Sequence, residues 1–349
     1  MTLNDLTPAN TWQIGTGDGS RGYVGLFYKY GVAVVGPGDP GEEGTEEAKR
    51  YYINNAGISN WGGVLSQVAV DHWLIARPGN GRIAAVGRVT GPMRYGRFFE
   101  DVEGWDLQHY VPVEWYRPGT EDHILHLDRN CLTRATIQGC NVPEVFEAIR
   151  NTPFERMEPQ HSVDKLQGPE EESIEAVADA LVDMGVRVQD AENVMRTIQR
   201  IVRLTHWYYE HDRAVLEHEI RAFLVLPLLQ ALGWSEQCMK LEYGRSDVAL
   251  FSRPFRAIDP PAPEMILEAK TFVNGPSYTH EQAKAYGSKF PACQRFVTTN
   301  GFRYRTYERQ GDALTATGYV NLLRLRKCNV LEPDLMPPID TLVSLSNLI

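Results

Sequence analysis

The sequence predicts an α/β chain of the α+β kind: a mostly β front domain, a connector with helices, and a rear domain in which helices and strands alternate. Three observations carry this. Residues 1–120 are rich in aromatics and glycine and hold several short runs of β-type residues. From 174 onward apolar residues recur at three- and four-residue steps, the helical period. Between 206 and 330 helical stretches alternate with short apolar runs suited to buried strands in a mixed sheet.

In the front part, YVGLFYKYGVAVVG (23–36), HWLIARP (72–78), RIAAVGRVTG (82–91) and VPVEWY (111–116) read as strands, with PGNG (78–81) as a hairpin turn. They suggest a small, partly closed barrel over 1–120. The segment 121–205 reads as the connector. HILHLDRN suits a short strand and PEVFEAIRN (143–151) a short helix, while the polar stretch 157–173 reads as a linker. IEAVADALVDMGV (174–186) and NVMRTIQRIVRL (193–204) then read as helices. In 206–349 the long amphipathic helix EHEIRAFLVLPLLQALGW (217–234) precedes strands SDVALF (246–251) and EMILEAKTF (264–272). A helix over 280–290 and a hairpin, RFVTTNG (295–301) with RYRTYER (303–309), follow. GDGSRG (17–22) and GPGDPG (36–41) lack the context of a phosphate loop and read as turns.

No apolar run is long enough to span a membrane. The first residues, MTLNDLTPAN, lack a basic stretch followed by an apolar one, so no secretory signal is expected. Five scattered cysteines without a CxxC pair argue against a zinc knuckle and a disulfide framework, which points to a reducing, cytoplasmic setting. The histidines at 123, 126, 206, 211 and 218 have no cysteine or acidic partner at zinc spacing. Net charge is −10, yet residues 270–309 hold seven basic residues against two acidic ones. Such a local basic stretch can track phosphates even in an acidic chain.

The chemistry centres on Asp247, Glu268 and Lys270. Glu268 and Lys270 are two apart in a nearly continuous apolar strand, so they share one face, while Ala269 points into packing. Two charges at the end of a buried strand are unfavourable unless they serve a site. Asp247 opens the preceding strand, and a hairpin would set it beside Glu268. Two carboxylates suit a hard cation such as Mg²⁺, with Mn²⁺ as the alternative. Lys270 would then orient or help deprotonate a bound water, or stabilise developing negative charge.

Residues about 213–310 resemble the N-terminal nuclease domain of type I restriction endonuclease motor subunits, a PD-(D/E)xK nuclease. The matching stretches are EIRAFLVLPLLQALGW, EYGRSDVALF, MILEAKTF, QAKAYGSKF and FVTTNGFRYRTYER. The resemblance implies a restriction-endonuclease-like mixed sheet flanked by helices. It also implies an acid from the first helix, for which Glu219 fits best with Glu217 as competitor, and a Gln-x-x-x-Tyr element matched by Gln282 and Tyr286. The sequence has no GxxxxGK[ST], so no translocating motor is expected.

The front segment, through RIAAVGRV (82–89) and GWDLQHY (104–110), is similar to the PUA-like group that includes EVE domains. That resemblance implies a pocket that reads a modified or flipped base, with Trp12, Trp61 and Trp105 as stacking candidates and Asp106 as a polar contact. Tyr286, Lys284 and Lys289 are expected as further nucleic-acid contacts. Together these readings predict a Mg²⁺-dependent DNA endonuclease, a modification-dependent restriction enzyme of anti-phage defence, acting as a homodimer where both strands are cut. A nuclease switched on by a signalling nucleotide, and a non-catalytic nucleic-acid-binding module, are the competing readings.

Overall fold

The computed structural model describes the chain apart from residues 1, 2, 4, 19–21, 37, 39, 56–58, 103, 212–214, 273–288, 312 and 349. The molecule is a mixed α/β structure that divides into two units, Met1–Gly168 and Pro169–Ile349. The expected connector over 121–205 is therefore shared between them. Its first part, including a helix over 143–150, joins the front unit, and the helices beyond 174 join the rear core.

In the first unit, β1 (Thr11–Gly15), α1 (Val24–Tyr30), β2 (Val32–Val35), α2 (Glu46–Asn54) and α3 (Trp61–Leu65) precede the strands β3 (Trp73–Arg77), β4 (Arg82–Ile83), β5 (Ala85–Val89) and β6 (Arg94–Tyr95). The long strand β7 (His109–Pro118), then β8 (Leu125–His126), β9 (Ile137–Gly139), α4 (Pro143–Arg150) and β10 (Phe154–Arg156) complete it. One curled sheet runs in the order β10-β7-β5-β3-β1-β9, and β2 and β6 pair with the first half of β7. The strands expected at 72–78 and 111–116 are present.

The stretch 23–36 is only half strand. Residues Val24–Tyr30 are helical, with Phe27 and Tyr30 buried, and Gly31 at φ +61° ends the helix in the left-handed conformation that glycine takes most easily. This helix covers the sheet, stacking Phe27 on Trp115 at 5.3 Å between centroids. Trp115 in turn donates from its indole N–H to the Val32 carbonyl at 2.9 Å, so one buried tryptophan serves both core and backbone.

In the second unit, α5 (Glu175–Asp183) and α6 (Val188–His211) lead into α7 (Glu217–Ile220), which continues through a π-helical turn (Arg221–Val225) into α8 (Leu226–Ala231). Among the described residues six strands follow: β11 (Met239–Leu241), β12 (Val248–Leu250), β13 (Met265–Ala269), β14 (Arg295–Thr299), β15 (Arg303–Gln310) and β16 (Ala313–Asn321). A final helix is α9 (Pro338–Ser344). The strands lie side by side in chain order, all pairs antiparallel except β13 and β14.

Strand alternation sorts the side chains. Val248, Leu250, Met265 and Leu267 pack with the helical residues Val177, Leu181, Ile198 and Leu228. Ala249, Phe251, Ile266 and Phe296 build a second core on the opposite face. The helices expected at 174–186 and 193–204 thus bury their apolar stripes in this unit's own core. The Asn-Gly turn between β14 and β15 is also present. Gly301 sits there at φ +94°, and a Cβ would lie 2.6 Å from a Leu224 methyl carbon, so only glycine fits against the helix.

Candidate catalytic centre

The site begins with a backbone register. Val248 pairs with Leu267 across β12 and β13. Continued by one residue, that register sets Asp247 opposite Glu268, with both side chains on the face of the second core. Asp247 Oδ2 accepts from the Ala269 backbone N–H at 2.7 Å, which pins the carboxylate across the two strands. The Glu268 and Lys270 residues are 8% and 9% exposed, and Lys270 Nζ donates to Glu268 Oε1 at 2.7 Å. Lys270 is held in turn by its own backbone N–H, which donates to Thr299 O at 2.8 Å.

Burial pushes the Lys270 ammonium toward a lower pKa. The hydrogen bond and charge of Glu268, with the charges of Glu217 and Asp247, outweigh this and hold it above the usual lysine range. At neutral pH Lys270 in this arrangement is a cation, suited to stabilising negative charge rather than to accepting a proton.

The acid expected from the first helix has two candidates with different surroundings. Glu217 Oε1 lies 3.6 Å from Lys270 Nζ. Glu219 turns back, its Oε2 accepting from the Leu216 backbone N–H at 3.0 Å, an N-terminal capping role. Glu217 is therefore the helical acid that reaches the centre.

A further residue is Arg221, which sequence reasoning missed. Its Nη1 donates to Asp247 Oδ1 at 2.8 Å and its Nη2 to Glu242 Oε1 at 3.3 Å. Arg221 opens the π-helical turn, in which the Leu226 N–H donates to the Arg221 carbonyl. Pro227 follows, and it has no N–H to offer Phe223. The Phe223 carbonyl accepts from Arg200 Nη1 at 3.4 Å instead. The signal was present in the sequence as a proline inside a helical pattern.

Gln282, Lys284 and Tyr286 lie outside the described residues. Lys289 is exposed, and its Nζ donates to the Gly244 carbonyl in the loop that precedes Asp247.

In the first unit the aromatic candidates have separate neighbours. Trp12 donates from Nε1 to His72 Nδ1 at 3.1 Å. Trp105 meets Tyr23 edge-on at 5.9 Å. Trp61 opens α3, whose Gly62 lies against the His109 ring. All three are half-buried. Asp106 Oδ1 accepts from the Asp101 backbone N–H at 3.0 Å, and so closes a turn.

Among the described residues, no three His, Cys, Asp or Glu side chains are grouped to hold a metal ion. The two facing carboxylates are nonetheless oxygen donors of the kind a hard cation takes, with water completing its shell. Asp247 has two protein donors here against about four acceptor positions on a carboxylate. The donor chemistry of Asp247 and Glu268 therefore fits Mg²⁺.

Among the described residues, no helix is long and apolar enough to cross a membrane. Comparison with known protein families, with curated proteins and with solved structures finds no match to this chain.

Proposed function

We propose that the chain is a Mg²⁺-dependent endonuclease that hydrolyses DNA phosphodiester bonds, with Asp247, Glu268 and Lys270 as its catalytic set. The observation that carries the reading is the buried Lys270–Glu268 pair on the face that Asp247 shares across the β12–β13 register. Charged groups so arranged at a strand end serve reaction chemistry better than folding, because replacing a buried ion pair by apolar residues is often neutral or stabilising.

In this reading Asp247 and Glu268 hold the cation, which supplies polarisation of the scissile phosphate and an acidified water. Lys270 keeps its proton and stabilises the charge that develops on the phosphate oxygens. Glu217 steadies the ammonium from the helix side, and Arg221 fixes the Asp247 carboxylate. The first unit, with its half-buried tryptophans, would read a feature of DNA such as a modified base, and the chain would then act as a modification-dependent restriction enzyme of phage defence. One such centre cuts one strand, so cutting a duplex through takes two chains.

The test is cleavage of phage DNAs, unmodified and carrying modified cytosines, with Mg²⁺ or Mn²⁺, by the wild type and by Lys270→Ala. Cleavage of modified DNA alone, lost in the variant, is the expected result. Cutting of every DNA would remove the modified-base reader. Cutting of none with either metal would overturn the nuclease reading.

A further inference from the structure

The helix α6 has two unlike faces. Ala191, Val194, Ile198, Ile201, Thr205 and Tyr208 are buried on one. At 100° per residue, Arg196, Arg200, Arg203, Trp207 and His211 fall within a narrow stripe on the opposite side, and all five are exposed. From Asn193 to Tyr209 the helix has three arginines and no acidic residue. Glu192 and Glu210 flank this span. Glu192 Oε2 is 3.1 Å from Arg196, and Glu210 Oε2 is 4.0 Å from His211. At the end of the stripe the Trp207 indole, 50% exposed, stacks on the His211 ring with centroids 5.0 Å apart and planes within 13°.

This stripe is tied at two points to the candidate catalytic centre. Arg200 donates to the Phe223 carbonyl inside the π-turn that Arg221 opens. Tyr208 and Tyr209, next to Trp207, contact Phe272 at 5.9 and 5.4 Å between centroids, and Phe272 is two residues beyond Lys270. From Arg196 to Trp207 the helix rises roughly 16 Å, about five phosphate steps along one strand of a duplex.

We infer that the outward face of α6 is a nucleic-acid track leading toward Lys270, with Arg196, Arg200 and Arg203 on backbone phosphates and the Trp207–His211 pair as a platform for an unpaired base. The inference deepens the nuclease reading and rests on it. The guanidinium groups suit phosphate, and an exposed indole stacked on an imidazole suits a base face. A phosphate backbone supplies a negative charge at every step along the stripe, whereas a protein partner would need acidic side chains at the same spacing.

The experiment measures binding of a labelled 20-nucleotide single strand and its duplex to the full chain in EDTA, so that nothing is cut, over a series of salt concentrations. Arg196→Gln with Arg203→Gln should flatten the slope of log K against log salt by nearly one per arginine on the duplex. Trp207→Ala should weaken single-strand binding roughly tenfold with the slope unchanged. Wild-type binding left unaltered by both changes overturns the track and leaves the nuclease reading standing. Absence of wild-type binding to either probe also overturns it, and cleavage with Mg²⁺, measured separately, then decides the nuclease reading on its own.

Discussion

Arg221 shows how much depends on one side chain at this centre. It is mostly buried and bridges Asp247 and Glu242, so a planar fork with two donor edges is needed there. Arg221→Ala should destabilise the second unit by about 1.5–3 kcal/mol, the range for a hydrogen bond to a charged group. Cleavage should fall further than the folded fraction does. Arg221→Lys should restore stability better than activity, and parallel recovery of both would assign the residue a purely structural role. The two helical glutamates should separate in the same assay. Glu217→Gln should lower the cleavage rate with little change in Tm, whereas Glu219→Ala should lower stability by up to about 1 kcal/mol and leave the rate per folded molecule intact.

Cys293 gives a pH-dependent counterpart. Burial pushes its thiol up to about 11 from an ordinary value of 9.0. Because the folded value is the higher one, this thiol's stabilising contribution is complete below pH 9 and is lost as pH rises toward about 11. Urea unfolding at pH 8 and pH 10.5 should show a smaller alkaline loss for Cys293→Ala than for the wild type.

At the scale of elements, the π-turn in the first helix of the centre is the feature to perturb. Pro227→Ala restores an N–H that can reach the Phe223 carbonyl and permits an uninterrupted α-helix. The expected outcome is unchanged or higher Tm with reduced cleavage, because rotating the turn moves Arg221 off Asp247. A variant of full activity would sever that link.

The helix itself was legible over 217–234 from its apolar period, and so were the strands that carry Asp247 and Glu268. The turn was not, because a helical period drawn on 3.6 residues does not register one extra residue. The β reading of 23–36 failed for a related reason. An aromatic run such as YVGLFYKY fits a strand by residue type, and only packing on Trp115 chooses the helix. The strands β11 and β16 are defined by their pairing with β12 and β15, and the helix α9 by the burial of Leu342 and Val343 in the rear core.

For the whole molecule, the linker read at 157–173 contains the break between units at 168, but the sequence does not decide whether the helices after it pack on either neighbour or mediate a dimer. Their destination depends on a sheet that forms a hundred residues later, which local periodicity cannot report. The structure puts Val177, Leu181, Ile198 and Ile201 into the core that also holds Leu267 and Val297. A fragment 169–349 should therefore unfold cooperatively in urea as an isolated chain. A fragment 206–349, lacking α5 and most of α6, should be largely unfolded by circular dichroism. The reverse pattern would contradict the two-unit division.

The parallel pairing of β13 with β14 also sets an order of events during folding. Every other neighbour pair in the rear sheet is antiparallel and joins consecutive strands, but β13 ends at Ala269 and β14 begins at Arg295. Bringing together two strands separated by 25 residues has a chain-entropy penalty of about 3 kcal/mol. Strands β14 to β16 can form as local hairpins first, and so can β11 to β13. The two halves then meet along the strand that carries Glu268. The β12–β13 register that sets Asp247 opposite Glu268 belongs to the first half, so the two carboxylates can face each other before the halves meet, whereas the Lys270 backbone N–H finds the Thr299 carbonyl only once they do.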